Sequence, residues 1–82
     1  MKEEIIVSKL KTIVEPYVQN KTAFEAISKE TSFITDLEIN SAHLVDVILD
    51  VEDEFDIRIE NEEMEKMTSV GASLAIIQQK IS

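Results

Sequence analysis

The chain has no cysteine, and only one glycine and one proline in 82 residues. Without cysteine there is no disulfide framework and no thiolate metal site. Scarce glycine and proline argue against a turn-rich β architecture and for helices. No apolar run is longer than a few residues, so no segment reads as membrane-spanning, and Met1-Lys2-Glu3-Glu4 lacks the apolar stretch of a signal peptide. The expected address is cytoplasmic. Basic residues are also few: 8 Lys and Arg against 17 Asp and Glu give a net charge of −9. The imbalance is local. Residues 36–65 hold twelve acids against Arg58 alone, whereas the rest of the chain is slightly basic. Such a field repels nucleic acid and steers proteins with basic patches toward one region.

At 44% hydrophobic, the composition can build one small core, and the expectation is a single domain over residues 1–82. Ile6, Leu10, Ile13 and Tyr17 recur at the spacing of an amphipathic helix, predicting a first helix over residues 2–18. Pro16 cannot donate to the Thr12 carbonyl, so the last turn kinks or the helix stops near Val14. Thr22-Ala23-Phe24-Glu25 has the form of a capping box, which predicts a short extra helix over residues 23–29. Phe33, Ile34, Leu37 and Ile39 anchor the remainder of a long connection. The second main helix runs from Ser41 to Phe55 with Asn40 or Ser41 as its cap, and a short one starts at Asn61-Glu62-Glu63. Thr68 or Ser69 caps the last, whose stripe is Val70, Leu74, Ile77 and Ile81. The fold class is therefore all-α: a small four-helix bundle, three main helices plus a short third, with a long loop between the first and second.

The helix from Ser41 to Phe55 carries the chemistry. Leu44, Val47, Ile48, Val51 and Phe55 fall within roughly 50° of one direction and form its core face. Ala42, Val45 and Leu49 make a second apolar strip roughly 100–160° away, bordered by Asp46 and Asp53 on one side and Glu52 on the other. Packing needs one apolar face. The second either covers the edge of the core and the long loop, or is a docking surface with an apolar centre and a charged rim. Ser41, at the mouth of this helix, either caps it or carries a covalent group. A Ser41–His43 catalytic pair fails, because residues two apart on a helix do not face each other. His43, Asp46 and Asp50 share a face, but with no further His or any Cys they read as solvated polar groups rather than metal ligands. A calcium loop beginning at Asp50 would need Gly where Phe55 stands. No metal site is expected, and His43 reads as a surface side chain.

Taken with Phe33-Ile34-x-Asp36-Leu37 upstream and Glu52-Asp53-Glu54-Phe55-Asp56-Ile57-x-Ile59 downstream, Asn40-Ser41-Ala42 resembles the Asp-Ser-Leu motif of the acyl carrier protein family. The resemblance spans residues 33–81. It implies a non-catalytic carrier that holds acyl intermediates as thioesters on a 4′-phosphopantetheine arm attached to Ser41, for fatty-acid-like, lipid or polyketide synthesis. It further implies that Asn40 and Ala42 flank the cofactor site, and that Val45, Asp46, Leu49, Glu52 and Asp53 meet partner enzymes. Leu44, Val47, Ile48, Phe55, Ile57 and Ile59 would line the acyl pocket. The implied partners are a phosphopantetheinyl transferase and acyl-loading, synthase and acyltransferase enzymes with basic patches. Nucleic acid and membrane insertion are not implied, and the carrier would be a monomer. Asn40 in place of Asp, Ala42 in place of Leu, and His43 in place of a common acid point to a specialised member of the family. The alternatives are an unmodified acidic interaction module with the same fold, or an aminoacyl or peptidyl carrier.

Overall fold

The 3.6-residue apolar stripes dictate the helices of the computed structural model, which describes residues 2–81. Met1, part of the amino-terminal stretch read above for a leader, and Ser82 lie outside the described residues. Helix α1, Glu3–Val14, buries Ile6, Leu10 and Val14 and opens with two acids at its positive end. It stops where Pro16 requires. Residues Glu15–Tyr17 tighten into a single 3₁₀ turn with the proline in its first positions.

The extra helix exists but sits earlier than residues 23–29. Helix α2 is Lys21–Glu25, and Asn20 caps it, its Oδ1 accepting from Ala23 N–H at 3.1 Å. The Thr22 capping box therefore does not form. The backbone N–H groups of Gln19 and Asn20 both donate to Leu37 O, which fixes the entry to α2 two residues upstream of Thr22. Beyond α2 the long loop is pinned by buried Phe33, Leu37 and Ile39. Ile34 is no anchor: it is 42% exposed. Two backbone bonds, Phe33 N–H to Thr68 O and Val70 N–H to Thr31 O, stitch this loop to the start of the last helix.

Helix α3, Ser41–Phe55, matches its sequence limits and ends at Asp56 in the left-handed region, φ 53°. Helix α4 is Asn61–Lys66. The Glu63 carboxylate reaches back to Glu60 N–H at 2.9 Å, satisfying a donor the helix cannot use internally. Helix α5 is Val70–Ile81, and Ser69, not Thr68, supplies its side-chain cap, Oγ accepting from Ala72 N–H at 3.2 Å. Helix α1 packs on both α3 and α5, and α4 leans on α5. The core is shared by all three long helices, with Phe33, Leu37 and Ile39 of the loop closing one side. The radius of gyration, 11.5 Å, is close to the roughly 12 Å expected of a folded chain this long.

Candidate functional site

Asn40 settles how α3 begins. Its backbone is extended (φ −60°, ψ 134°), and its Oδ1 accepts from Ala42 N–H at 2.9 Å. Its carbonyl accepts from His43 N–H at 2.8 Å. Ser41 is thus the first helical residue rather than the cap. It is exposed, and its hydroxyl takes part in no hydrogen bond among the described residues. The helix dipole places partial positive charge at this point, and the first turn of α3 contains no acid to cancel it. A hydroxyl so placed suits esterification by an anionic group. A phosphodiester there would sit at the favourable end of a fifteen-residue helix.

The two apolar faces of α3 separate cleanly. Val47, Ile48, Val51 and Phe55 are buried. Val45 and Leu49 are 48% and 52% exposed, so they do not cover the edge of the core or the loop. Asp46 and Asp53 lie exposed beside them. Glu52 behaves differently. It is half-buried, and its Oε2 accepts from the backbone N–H of Ile59 at 2.7 Å, which folds the segment after α3 back against the helix. That carboxylate is part of the fold before it can be part of a rim.

Of the six expected acyl-lining residues, Val47, Ile48, Phe55 and Ile59 are buried, and Leu44 and Ile57 pack half-buried against the same core. A surface cleft of about 590 Å³ lies elsewhere, between α1 and residues 24–29, and none of the six borders it.

Sequence reasoning missed Tyr17. Its spacing suggested a core residue, yet it is half-buried, and its hydroxyl donates to Asp50 Oδ2 at 3.3 Å. Its ring stands 5.5 Å from the His43 ring, tilted by 53°. Burial, then the nearby carboxylates of Asp50 and Asp46, hold its hydroxyl above the usual tyrosine range. His43 is on the surface as expected, but it packs on Tyr17 beside the site. The signal available was Pro16: a 3₁₀ turn winds at about 120° per residue, and this rotates Tyr17 off the core stripe toward α3. Among the described residues no group of three His, Cys, Asp or Glu side chains could hold a metal, and no helix is long and apolar enough to cross a membrane.

No family model matches the chain. Curated relatives do. It is 35% identical to the acyl carrier protein of an Exiguobacterium species over 98% of both chains. It is 36% identical to that of a Picosynechococcus species over 98% of this chain and 95% of the other. The acyl carrier protein of Lactobacillus acidophilus is 35% identical over 94% of each. Among solved structures, the acyl carrier protein from Enterococcus faecalis superposes with a TM-score of 0.80 at 25% identity, over 98% of this chain and 99% of that one. The helical bundle, the uncommitted serine at the head of an acidic helix and relatedness along nearly the whole length agree: this chain belongs to the acyl carrier protein family, whose prosthetic group is 4′-phosphopantetheine.

Proposed function

We propose that Ser41 carries the 4′-phosphopantetheine arm and that the protein is a non-catalytic carrier of acyl thioesters in fatty acid biosynthesis. The observation that carries this reading is Ser41 itself: exposed, at the positive end of α3, and relieved of capping by Asn40. Its hydroxyl oxygen would form the new bond to phosphorus, displacing the nucleotide half of coenzyme A in a reaction run by a Mg²⁺-dependent transferase. The chain's own contribution is positional. Asn40 and Ala42 frame the attachment point, and the helix end favours the charge that arrives there.

Val45 and Leu49, with Asp46 and Asp53 beside them, form the surface we assign to partner enzymes bearing basic patches. The exposed apolar centre supplies contact area, and the acids supply steering. Glu52 would contribute only through its second carboxylate oxygen. The acyl chain would be sheltered by parting Leu44, Val47, Ile48, Phe55, Ile57 and Ile59, which fill that space with one another in this structure. We read the protein as a cytoplasmic monomer, the form in which the docking face around Val45 and Leu49 stays free. An unmodified module or an aminoacyl carrier is not favoured, because the relatives bear the name acyl carrier protein.

The test is intact mass after incubation with coenzyme A and a broad-specificity transferase. The chain should gain one phosphopantetheine, and Ser41→Ala should gain none while keeping its helical content. Modification persisting in Ser41→Ala would defeat the assignment.

A further inference from the structure

Asn40 has a second functional branch that capping leaves unused. Only its oxygen can accept from Ala42 N–H, so the 2.9 Å bond fixes the carboxamide with Oδ1 toward the helix and Nδ2 on the other side. Nδ2 carries two N–H donors. The residue is exposed, and these donors have no partner among the described residues. Ser41 follows directly in the chain. A phosphodiester on its Oγ would bring one negative charge and two non-bridging acceptor oxygens to the same end of α3.

We propose that Asn40 is the positioning residue for that phosphodiester: Oδ1 holds the helix cap while Nδ2 donates to a non-bridging phosphate oxygen. The proposal rests on the carrier reading of Ser41 given above. An aspartate has the same shape and caps a helix as well as asparagine does. Its second branch, however, is a carboxylate oxygen, which accepts only and repels a phosphate. Asparagine here therefore gives the base of the arm a hydrogen-bond donor where aspartate would set a like charge. The bond would hold the first atoms of the arm against the head of the helix, narrowing the directions from which it leaves the protein.

Wild type and Asn40→Asp are each prepared without the arm and with it, loading being checked by intact mass. Without the arm, the two should melt within about 2 °C of each other, since the cap is kept. Loading should raise the midpoint of wild type by roughly 2–4 °C, and that of Asn40→Asp by less than half as much or not at all. High salt should narrow the difference, as it screens the carboxylate–phosphate repulsion. In ¹⁵N-resolved NMR of wild type, the side-chain NH₂ of Asn40 should shift on loading. That of Asn20, which caps α2 in the same manner on a different helix, should not. Equal rises in midpoint for the two proteins, or an Asn40 amide that moves no more than that of Asn20, overturn the proposal. No gain of mass at Ser41 would remove the carrier reading, and this proposal with it, before any melting point is taken.

Discussion

Truncating Glu52 should weaken the fold even though it relieves charge repulsion. Three effects compete in Glu52→Ala. The substitution leaves Ile59 N–H without its acceptor, and Ile59 is a buried residue, 7% exposed. An unpaired buried donor costs about 1–3 kcal/mol. Against this, Glu52 lies in the last turn of α3, at the negative end of the dipole, beside Asp53, Glu54 and Asp56. Removing its charge returns about 0.3–1 kcal/mol. Alanine's better helix propensity adds a few tenths, on the order of 0.4 kcal/mol. The hydrogen bond wins by about 1 kcal/mol, which lowers the melting midpoint by about 4–8 °C in a chain of this size. Asp53→Ala is the control. Asp53 is exposed, its side chain makes no hydrogen bond or ion pair among the described residues, and it shares the same electrostatic environment. That variant should be neutral or slightly stabilised. Glu52→Gln, which keeps an acceptor oxygen, should fall between the two. Urea unfolding followed by far-UV circular dichroism measures all three. A Glu52→Ala protein as stable as Asp53→Ala would refute the assignment of Glu52 to the fold. The result also governs how docking experiments are read, because partner affinity lost in Glu52→Ala reports a lost contact only if Glu52→Gln loses it as well.

Gly71→Ala should destabilise by about 1–2 kcal/mol despite a helix-propensity gain of about 1 kcal/mol, because the new Cβ would lie 2.8 Å from the backbone oxygen of Lys29. A more stable variant in chemical denaturation would contradict this. Lys80 first, then Glu60 N–H, holds the Glu63 carboxyl below its ordinary pKa of 4.5. The pairing therefore stabilises fully above that value and is lost as pH falls through the lower folded one. Melting curves should show a shallower acid limb for Lys80→Met than for wild type, and parallel limbs would count against the pairing. Tyr17 works in the opposite sense: its raised folded pKa gives stability that is complete below 10.0 and is lost as pH rises through the folded value. It is the chain's single tyrosine, so phenolate absorbance reads it alone; a midpoint at or below 10.0 would refute the environment described.

Much of the bundle could be read from the chain because local and tertiary forces agree there. The stripes of α1, α3 and α5 fall on the faces that pack, and α1 ends at Val14, just before Pro16. The misreadings arise where a distant residue decides. Asn20 and Thr22 are both competent caps, and the choice is made by Leu37 O, which holds Gln19 and Asn20 in place. Ile34 sits between Phe33 and Leu37 in a turn, where no helical or strand period applies, and only the stitching to Thr68 and Val70 turns Phe33 inward and leaves Ile34 out. Glu52 carries the charge pattern of a rim residue. That it turns toward Ile59 depends on the reversal at Asp56, a left-handed backbone position with no distinctive sequence mark. Ser41 was visible as a serine heading an acidic helix, but whether it capped that helix was not. The structure decides this through a single bond from Ala42 N–H to its neighbour's side chain.

That bond also separates two demands that could have collided at the head of α3. A serine that caps a helix loses its acceptor geometry when its oxygen is esterified, so loading would weaken the helix it stands on, by about 1 kcal/mol. Here the cap belongs to Asn40, and the Ser41 hydroxyl makes no hydrogen bond among the described residues that modification would remove. The same division runs down the helix. Val47, Ile48, Val51 and Phe55 hold α3 in the core, whereas Val45 and Leu49 face outward and bear no structural duty. On the proposed function, docking on the exposed face and esterification of the serine would draw on none of the contacts that keep the bundle folded.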